Sequence, residues 1–149
     1  LLAANHLSLP YPEQTVLTPH QMEWQRLSAL PIQEQRDEEN KKKQQEIGAA
    51  VVLKSHETKI YGHQHFYTNP LGSAAMATGG MGDTLAGMIT GFLAQFPQND
   101  QTIAAAVYLH SFIGDQLARE QYVVLPTQIS EALPKWMNYF CKKSMENEA

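Results

Sequence analysis

The chain has 149 residues, a formal net charge of −4, 43% hydrophobic and 17% charged residues. That is the length of one ordinary domain with a globular composition, able to bury roughly two-thirds of its unfolded surface. The acidic balance and a pI near 5.8 argue against a nucleic-acid surface, and a lone Cys141 excludes an intramolecular disulfide or Cys-based zinc cluster. No apolar run approaches the roughly 20 residues of a membrane span, and no basic start precedes an apolar stretch. A soluble, cytoplasmic protein without nucleic-acid or membrane partners is expected.

Leu1-Leu2-Ala3-Ala4-Asn5-His6 has no initiator Met and reads like the last turns of a helix. The chain is therefore expected to be the later part of something longer. Residues 15–18 form a short β-rich segment that Pro19-His20 stops, and a helix can start over residues 22–27. Residues 31–46 read as a polar helix, with Glu38–Lys42 and Glu39–Lys43 as i,i+4 pairs contributing a few tenths of a kcal/mol each. Lys41, Lys42 and Lys43 sit amid acids, so a solvated face is expected there rather than a binding patch.

Residues 49–53 are continuously apolar, as in a strand covered on both faces of a parallel sheet. Residues 58–62 and 65–68 predict a hairpin turning near Gly62-His63-Gln64. Six of the nine glycines then fall between Gly72 and Gly91. Beyond Phe96-Pro97, Asn99 or Asp100 can cap a long helix over residues 102–118. Thr127 caps a last helix that Pro134 bends or restarts before residues 136–140. The order predicts one α/β domain, or the later half of one.

Residues 78–89, Thr-Gly-Gly-Met-Gly-Asp-Thr-Leu-Ala-Gly-Met-Ile, are the most informative stretch. Three glycines in four positions ease positive φ and close backbone approach to a ligand. Leu85, Met88, Ile89, Phe92 and Leu93 recur at helical spacing, so a helix begins at about Gly82. A glycine-rich turn entering a helix presents free N–H groups at the positive end of the macrodipole, an anion site. Asp83 in the first turn has two readings. It is either an acid stabilising the helix N-terminus by about 0.3–1 kcal/mol, or the base that takes a proton from a hydroxyl attacking a phosphoryl group. No Lys-Ser/Thr follows the glycines, so the loop is not a Walker A motif.

Asn69-Pro70 together with residues 77–87, Ala-Thr-Gly-Gly-Met-Gly-Asp-Thr-Leu-Ala-Gly, closely resembles the signature of the ADP/ATP-dependent NAD(P)H-hydrate dehydratases of the ribokinase-like superfamily. Three further segments agree in order: Leu17-Thr18-Pro19-His20 followed by Glu23; Val52-Leu53-Lys54 with Thr58 and Ile60; and Tyr108-Leu109-His110 with Gly114-Asp115. The resemblance runs from about residue 15 to 134. It implies a three-layer α/β/α ribokinase-like fold, with residues 1–149 as the C-terminal portion of one such domain and the missing N-terminal portion as a necessary partner. The implied activity is repair of NADHX or NADPHX: the C6 hydroxyl is phosphorylated at the expense of ADP (or ATP), and phosphate is then eliminated.

On that resemblance Asp83 is the base and touches the hydrate. Gly80, Met81 and Gly82 form the anion hole, and Gly82 also touches AMP. Lys54, Ser55, His56, Glu57 and Thr58 hold the nucleotide, and His20 lines the hydrate pocket. Mg²⁺ is implied as cofactor without identified protein ligands, and a homo-oligomer is expected. Plainer roles stand beside these: His20 as a polar loop residue, Lys54 as the point where a strand meets water. His110 is expected to be a satisfied core histidine, Asp115 is assigned no chemistry, and His56, His63 and His65 are not expected to form a metal cluster. Gln21 and Met22 depart from a usual Pro-Gly, and Ser55 and Ser111 from common glycines. The alternatives are a ribokinase-like small-molecule kinase that leaves the phosphate on its product, and a nucleotide-binding fragment without turnover.

Overall fold

The computed structural model describes residues 8–148, so the helix-like start read at residues 1–6 lies outside the described residues. The chain divides into two compact units, one ending at Pro70 and one beginning at Leu71. No helix among the described residues is long and apolar enough to cross a membrane.

The first unit is a mixed four-stranded sheet with two helices. β1 (Val16–Leu17) runs parallel to β2 (Ala50–Leu53), which pairs antiparallel with β3 (Thr58–Tyr61), itself antiparallel to β4 (Phe66–Asn69). All of β2 is buried in an interior position of the sheet, as its unbroken apolar run requires. The hairpin forms where it was expected: Tyr61 pairs with Phe66, and the Gly62 N–H bonds to the His65 carbonyl at 2.9 Å.

The crossover from β1 to β2 carries α1 (Gln21–Ser28) and α2 (Asp37–Ile47). Trp24 of α1 packs with Leu17, Ala49, Val51, Leu53 and Tyr61 into the core. Helix α2 starts six residues later than the polar run suggested. Ile32–Glu34 is a separate 3₁₀ turn, and Arg36 is extended, so the three acids Asp37, Glu38 and Glu39 open the helix where its dipole favours them. The charged pairs form at i,i+3 rather than i,i+4: Lys42 reaches Glu39 at 3.2 Å and Lys43 reaches Glu46 at 2.7 Å.

That helix is not solvated all round. Asn40 and Gln44 are buried on it. Asn40 Oδ1 accepts the Trp24 indole N–H at 2.8 Å, while its Nδ2 donates to the Gln35 carbonyl at 3.2 Å and the Tyr61 hydroxyl at 3.0 Å. The Tyr61 hydroxyl in turn donates to Asp37 at 2.8 Å, and the Lys59 ammonium lies 2.9 Å from the same carboxylate. Burial raises the Tyr61 pKa, with Asp37 adding to the rise. Burial also opposes ionisation of Asp37, but the bonds from Lys59 and Tyr61 outweigh it and lower its pKa.

The second unit opens with a 3₁₀ turn, Ala74–Met76, and continues as α3 (Met81–Gln95), α4 (Asp100–Ala118) and α5 (Pro126–Glu148). The apolar stripe of α3 is buried through Leu85, Met88, Ile89 and Phe92, and Ile103, Ala106, Val107 and Ile113 do the same for α4. Asn99, not Asp100, caps α4, accepting the Thr102 N–H at 2.9 Å. Helix α5 differs from expectation twice. It begins at Pro126, whose missing N–H costs nothing at a first helical position, so Thr127 already lies inside the helix. It also continues through exposed Pro134, because Phe112, Trp136, Tyr139 and Phe140 interlock at ring separations of 5.0–5.5 Å across α4 and α5.

Candidate active site

Between Thr78 and α3 the chain turns through Gly80, whose φ of +85° is left-handed backbone that L side chains rarely adopt. Gly80 is the N-cap of α3 and has no side chain with which to cap it. The Met81 N–H is engaged only in a long 3.4 Å bond to the Thr78 carbonyl, and the Thr84 N–H bonds back to Gly80 at 3.0 Å. A helix start leaves its first N–H groups without intrahelical acceptors. The helix therefore begins at Met81, one residue before the expected Gly82. A Cβ at Gly79 would meet nothing within 4 Å, so no contact among the described residues demands glycine at that position. Asp83 stands in the first turn, exposed, with no hydrogen-bond partner among the described residues. Gly80, Met81, Gly82 and Asp83 are thus brought together at one helix N-terminus, as the sequence suggested.

The tract before this turn is held from two sides. Val124 donates to the Ala75 carbonyl at 2.9 Å, and Thr78 Oγ1 donates to the Val124 carbonyl at 3.0 Å. From α4, Asp115 Oδ2 accepts the Gly72 N–H at 3.1 Å, and a Cβ at Gly114 would overlap the Met76 sulfur. His110, on the same helix, is 4% exposed. Burial pushes its pKa down to about 4. The histidine expected to be satisfied in the core is in the core, but its Nε2 has no partner among the described residues. Asp115 Oδ1 is left in the same state. These two residues were passed over in the sequence; their spacing on the buried face of a helix was the available signal.

In the first unit the predicted residues also group. His20 and Lys54 form a parallel bridge at the ends of β1 and β2, and the Lys54 N–H bonds to the Pro19 carbonyl at 2.9 Å. Ser55, His56 and Glu57 form an exposed turn closed by the Ser55 hydroxyl on the Glu57 carbonyl at 2.6 Å, and Thr58 opens β3. His20 has a structural task unseen in the sequence. It is the N-cap of α1: its Nδ1 accepts from Met22 and Glu23 at 3.2 and 3.3 Å, and Glu23 accepts the His20 N–H at 2.8 Å. That capping box leaves Nε2, 3.6 Å from the Glu23 carboxylate, as the nitrogen that could meet a ligand. No group of three metal-ligating side chains comes together among the described residues, His56, His63 and His65 included. An apolar cavity of about 480 Å³ lies among α3, α4 and α5, lined by Phe92, Leu109, Met137 and Phe140 among others. It has no charged lining residue and does not suit a nucleotide.

A mixed α/β protein with a left-handed glycine leading into a helix that no side chain caps, and an exposed acid in that helix's first turn, is the class that the fold and this turn define. The comparisons narrow this class, and the chain belongs to the NAD(P)H-hydrate dehydratase family, whose model matches residues 1–135. It is 55% identical over 142 residues to the Enterococcus faecalis protein named ADP-dependent (S)-NAD(P)H-hydrate dehydratase, covering 95% of this chain and 49% of that one. Identity to the Lactococcus lactis protein of the same name is 51%, covering 94% and 52%. A crystal structure of a ribokinase-like superfamily protein from Enterococcus faecalis superposes with a TM-score of 0.90 at 55% identity, covering 93% of this chain and 49% of that one. The Bacillus subtilis ADP/ATP-dependent NAD(P)H-hydrate dehydratase, co-crystallised with ATP/Mg²⁺, matches at a TM-score of 0.77 and 33% identity, covering 84% and 47%. The fold is therefore ribokinase-like, and the chain spans about half the length of the relatives it matches.

Proposed function

We propose that residues 1–149 form the C-terminal portion of one ribokinase-like domain and supply the catalytic loop of an ADP-dependent (S)-NAD(P)H-hydrate dehydratase. The observation that carries this reading is the Gly80 turn into a helix that no side chain caps, with exposed Asp83 in its first turn. Asp83 takes the proton from the C6 hydroxyl of the hydrated nicotinamide as that oxygen attacks the terminal phosphorus of ADP. The bond from phosphorus to the AMP oxygen breaks and AMP leaves. The amides of Gly80, Met81 and Gly82 hold the charge that develops on the phosphoryl oxygens. The C6–O bond then breaks, phosphate departs with the electron pair, and loss of a proton from C5 restores the ring.

Lys54 to Thr58 contact the AMP portion, with Gly82, and His20 offers its Nε2 to the hydrate. Mg²⁺ would supply charge neutralisation on the phosphates. The described residues offer Asp83 but no cage of acids, which fits an ion held mainly by nucleotide oxygens and water. The remainder of the domain would complete both pockets, and a homo-oligomer acting in the cytoplasm is part of the same reading.

The test is incubation of the complete protein with NADHX plus ADP or ATP while NADH absorbance is followed. NADH formation with release of AMP and phosphate supports the proposal. A stable phosphorylated product instead identifies a small-molecule kinase. The half-length coverage favours a second reading for the isolated chain, a nucleotide-binding fragment. Binding of ADP by residues 1–149 without NADH formation, alongside turnover by the complete protein, distinguishes that case.

A further inference from the structure

We propose that Thr78 is a positioning residue: its hydroxyl, anchored on the Val124 carbonyl, steadies the Gly79–Gly80 peptide and so keeps the Gly80 N–H in place for the phosphoryl group. The inference rests on the phosphoryl-transfer reading of the loop.

Its geometric basis is a four-residue turn that does not hold itself. The turn runs from Thr78 to Met81 and is closed by the Met81 N–H on the Thr78 carbonyl at a long 3.4 Å. Gly80, at φ +85° and ψ −8°, has the geometry of the third position of a type II turn. The Met81 and Gly82 amides belong to α3 and are aimed by the helix. The Gly80 N–H lies outside it, in the central peptide of the turn. Neither it nor the Gly79 N–H has an acceptor among the described residues. Both glycines are exposed, and neither has a side chain to limit its torsions. The peptide between them therefore depends on its two ends, and α3 fixes the Met81 end.

Thr78 fixes the other. Its hydroxyl donates to the Val124 carbonyl at 3.0 Å, and the Val124 N–H donates to the Ala75 carbonyl at 2.9 Å. Two hydrogen bonds thus run in opposite senses between the tract and Val124, which is itself fully buried. A plainer role for the hydroxyl is to satisfy a buried carbonyl and nothing more. That role predicts a loss of stability with turnover per folded molecule intact, so kinetics separates the two.

The experiment compares Thr78→Val, which keeps the shape and removes the donor, with Thr78→Ser, which keeps the donor. Both are made in the complete protein and studied well below its melting temperature. The readouts are kcat, KM for NADHX and the NMR order parameter of the Gly80 amide. Losing one fixed oxyanion donor costs about 10²–10³-fold in kcat elsewhere, and a loosened one should cost at least about 10-fold. Thr78→Val is expected to lower kcat by at least that smaller factor with KM little changed. The Gly80 order parameter should fall toward the flexible range, below about 0.6. Thr78→Ser is expected to stay within about 10-fold of wild-type kcat and to keep the order parameter. A valine variant within about 10-fold of wild-type kcat, or with an unchanged order parameter, overturns the proposal. A serine variant as impaired as the valine one overturns it too. If Thr78→Val does not fold, Thr78→Ala is read against the same thresholds. If the wild-type protein does not turn over NADHX, the functional reading has failed instead. The order parameter alone then judges the positioning claim: a fall in the valine variant supports it, and no change overturns it.

Discussion

Two buried polar side chains, Asn40 on α2 and His110 on α4, show how differently the two units use their interiors. Asn40 is 1% exposed, and every polar atom of its amide is bonded: one acceptor to Trp24, two donors to Gln35 and Tyr61. It ties a helix to a sheet and faces no ligand feature. His110 is 4% exposed, and its Nε2 has no partner among the described residues. A fully connected network is what a fold needs for rigidity; a partly connected one is expensive and persists where the surrounding chemistry requires it.

Acid separates the two regions first. The folded His110 pKa near 4 lies below its ordinary value of 6.5, so the unfolded chain binds the proton more readily. The associated stability is present above about pH 6.5 and is lost as pH falls toward 4, by roughly 3 kcal/mol at most. Asp37 is lowered below 3.8, so its contribution is lost only under still more acid conditions. Denaturation followed from pH 7 to pH 4 should show this loss in wild type and its absence in His110→Leu. A flat wild-type profile would contradict the buried neutral histidine.

Gly79 sharpens the comparison from the ligand side. A Cβ there meets open space without left-handed strain, so Gly79→Ala should leave the melting temperature unchanged or slightly raised. A side chain projecting into the path of a phosphate should nonetheless reduce turnover by about 10²-fold, the scale of a 1 Å misplacement. Steady-state kinetics beside a thermal melt checks both halves of this expectation.

The reverse outcome belongs to Asn40. Asn40→Leu strands the Trp24 indole N–H and should destabilise the protein by about 2 kcal/mol. Turnover per folded molecule should be retained. Smallest of all is the solvated face of α2. Lys43→Ala removes the 2.7 Å pair with Glu46, on side chains 32% and 62% exposed, and should shift stability by less than about 0.5 kcal/mol in urea titration.

The Gly80 turn and β2 were legible in the sequence because each depends on local patterning. Gly80 must take φ near +85°, and the four residues of β2 are apolar because all four are buried. The seam of Asn40 was not legible, since a polar residue inside a charged run reads as solvated until Trp24 and Tyr61, distant in sequence, arrive beside it. The late start of α2 escaped for a related reason: residues 32–36 have helical composition, and only the 3₁₀ turn and extended Arg36 reveal the break. Of the site residues, His20 was readable as a motif member but not as the partner of Glu23 in a capping box. His110 could be placed on a buried face, but that its Nε2 stays without a partner among the described residues depends on how α4 packs.

The most direct measurement is kcat and melting temperature for Asp83→Asn in the complete protein, with NADHX and ADP as substrates. The substitution keeps size and removes the proton acceptor while leaving the loop amides in place. If Asp83 is the base, kcat falls by about 10²–10⁴-fold, ADP still binds, and the melting temperature hardly moves, since the helix-dipole contribution is only about 0.3–1 kcal/mol. Near-normal kcat with a slightly lowered melting temperature would mean that Asp83 only stabilises its helix, and would contradict the account.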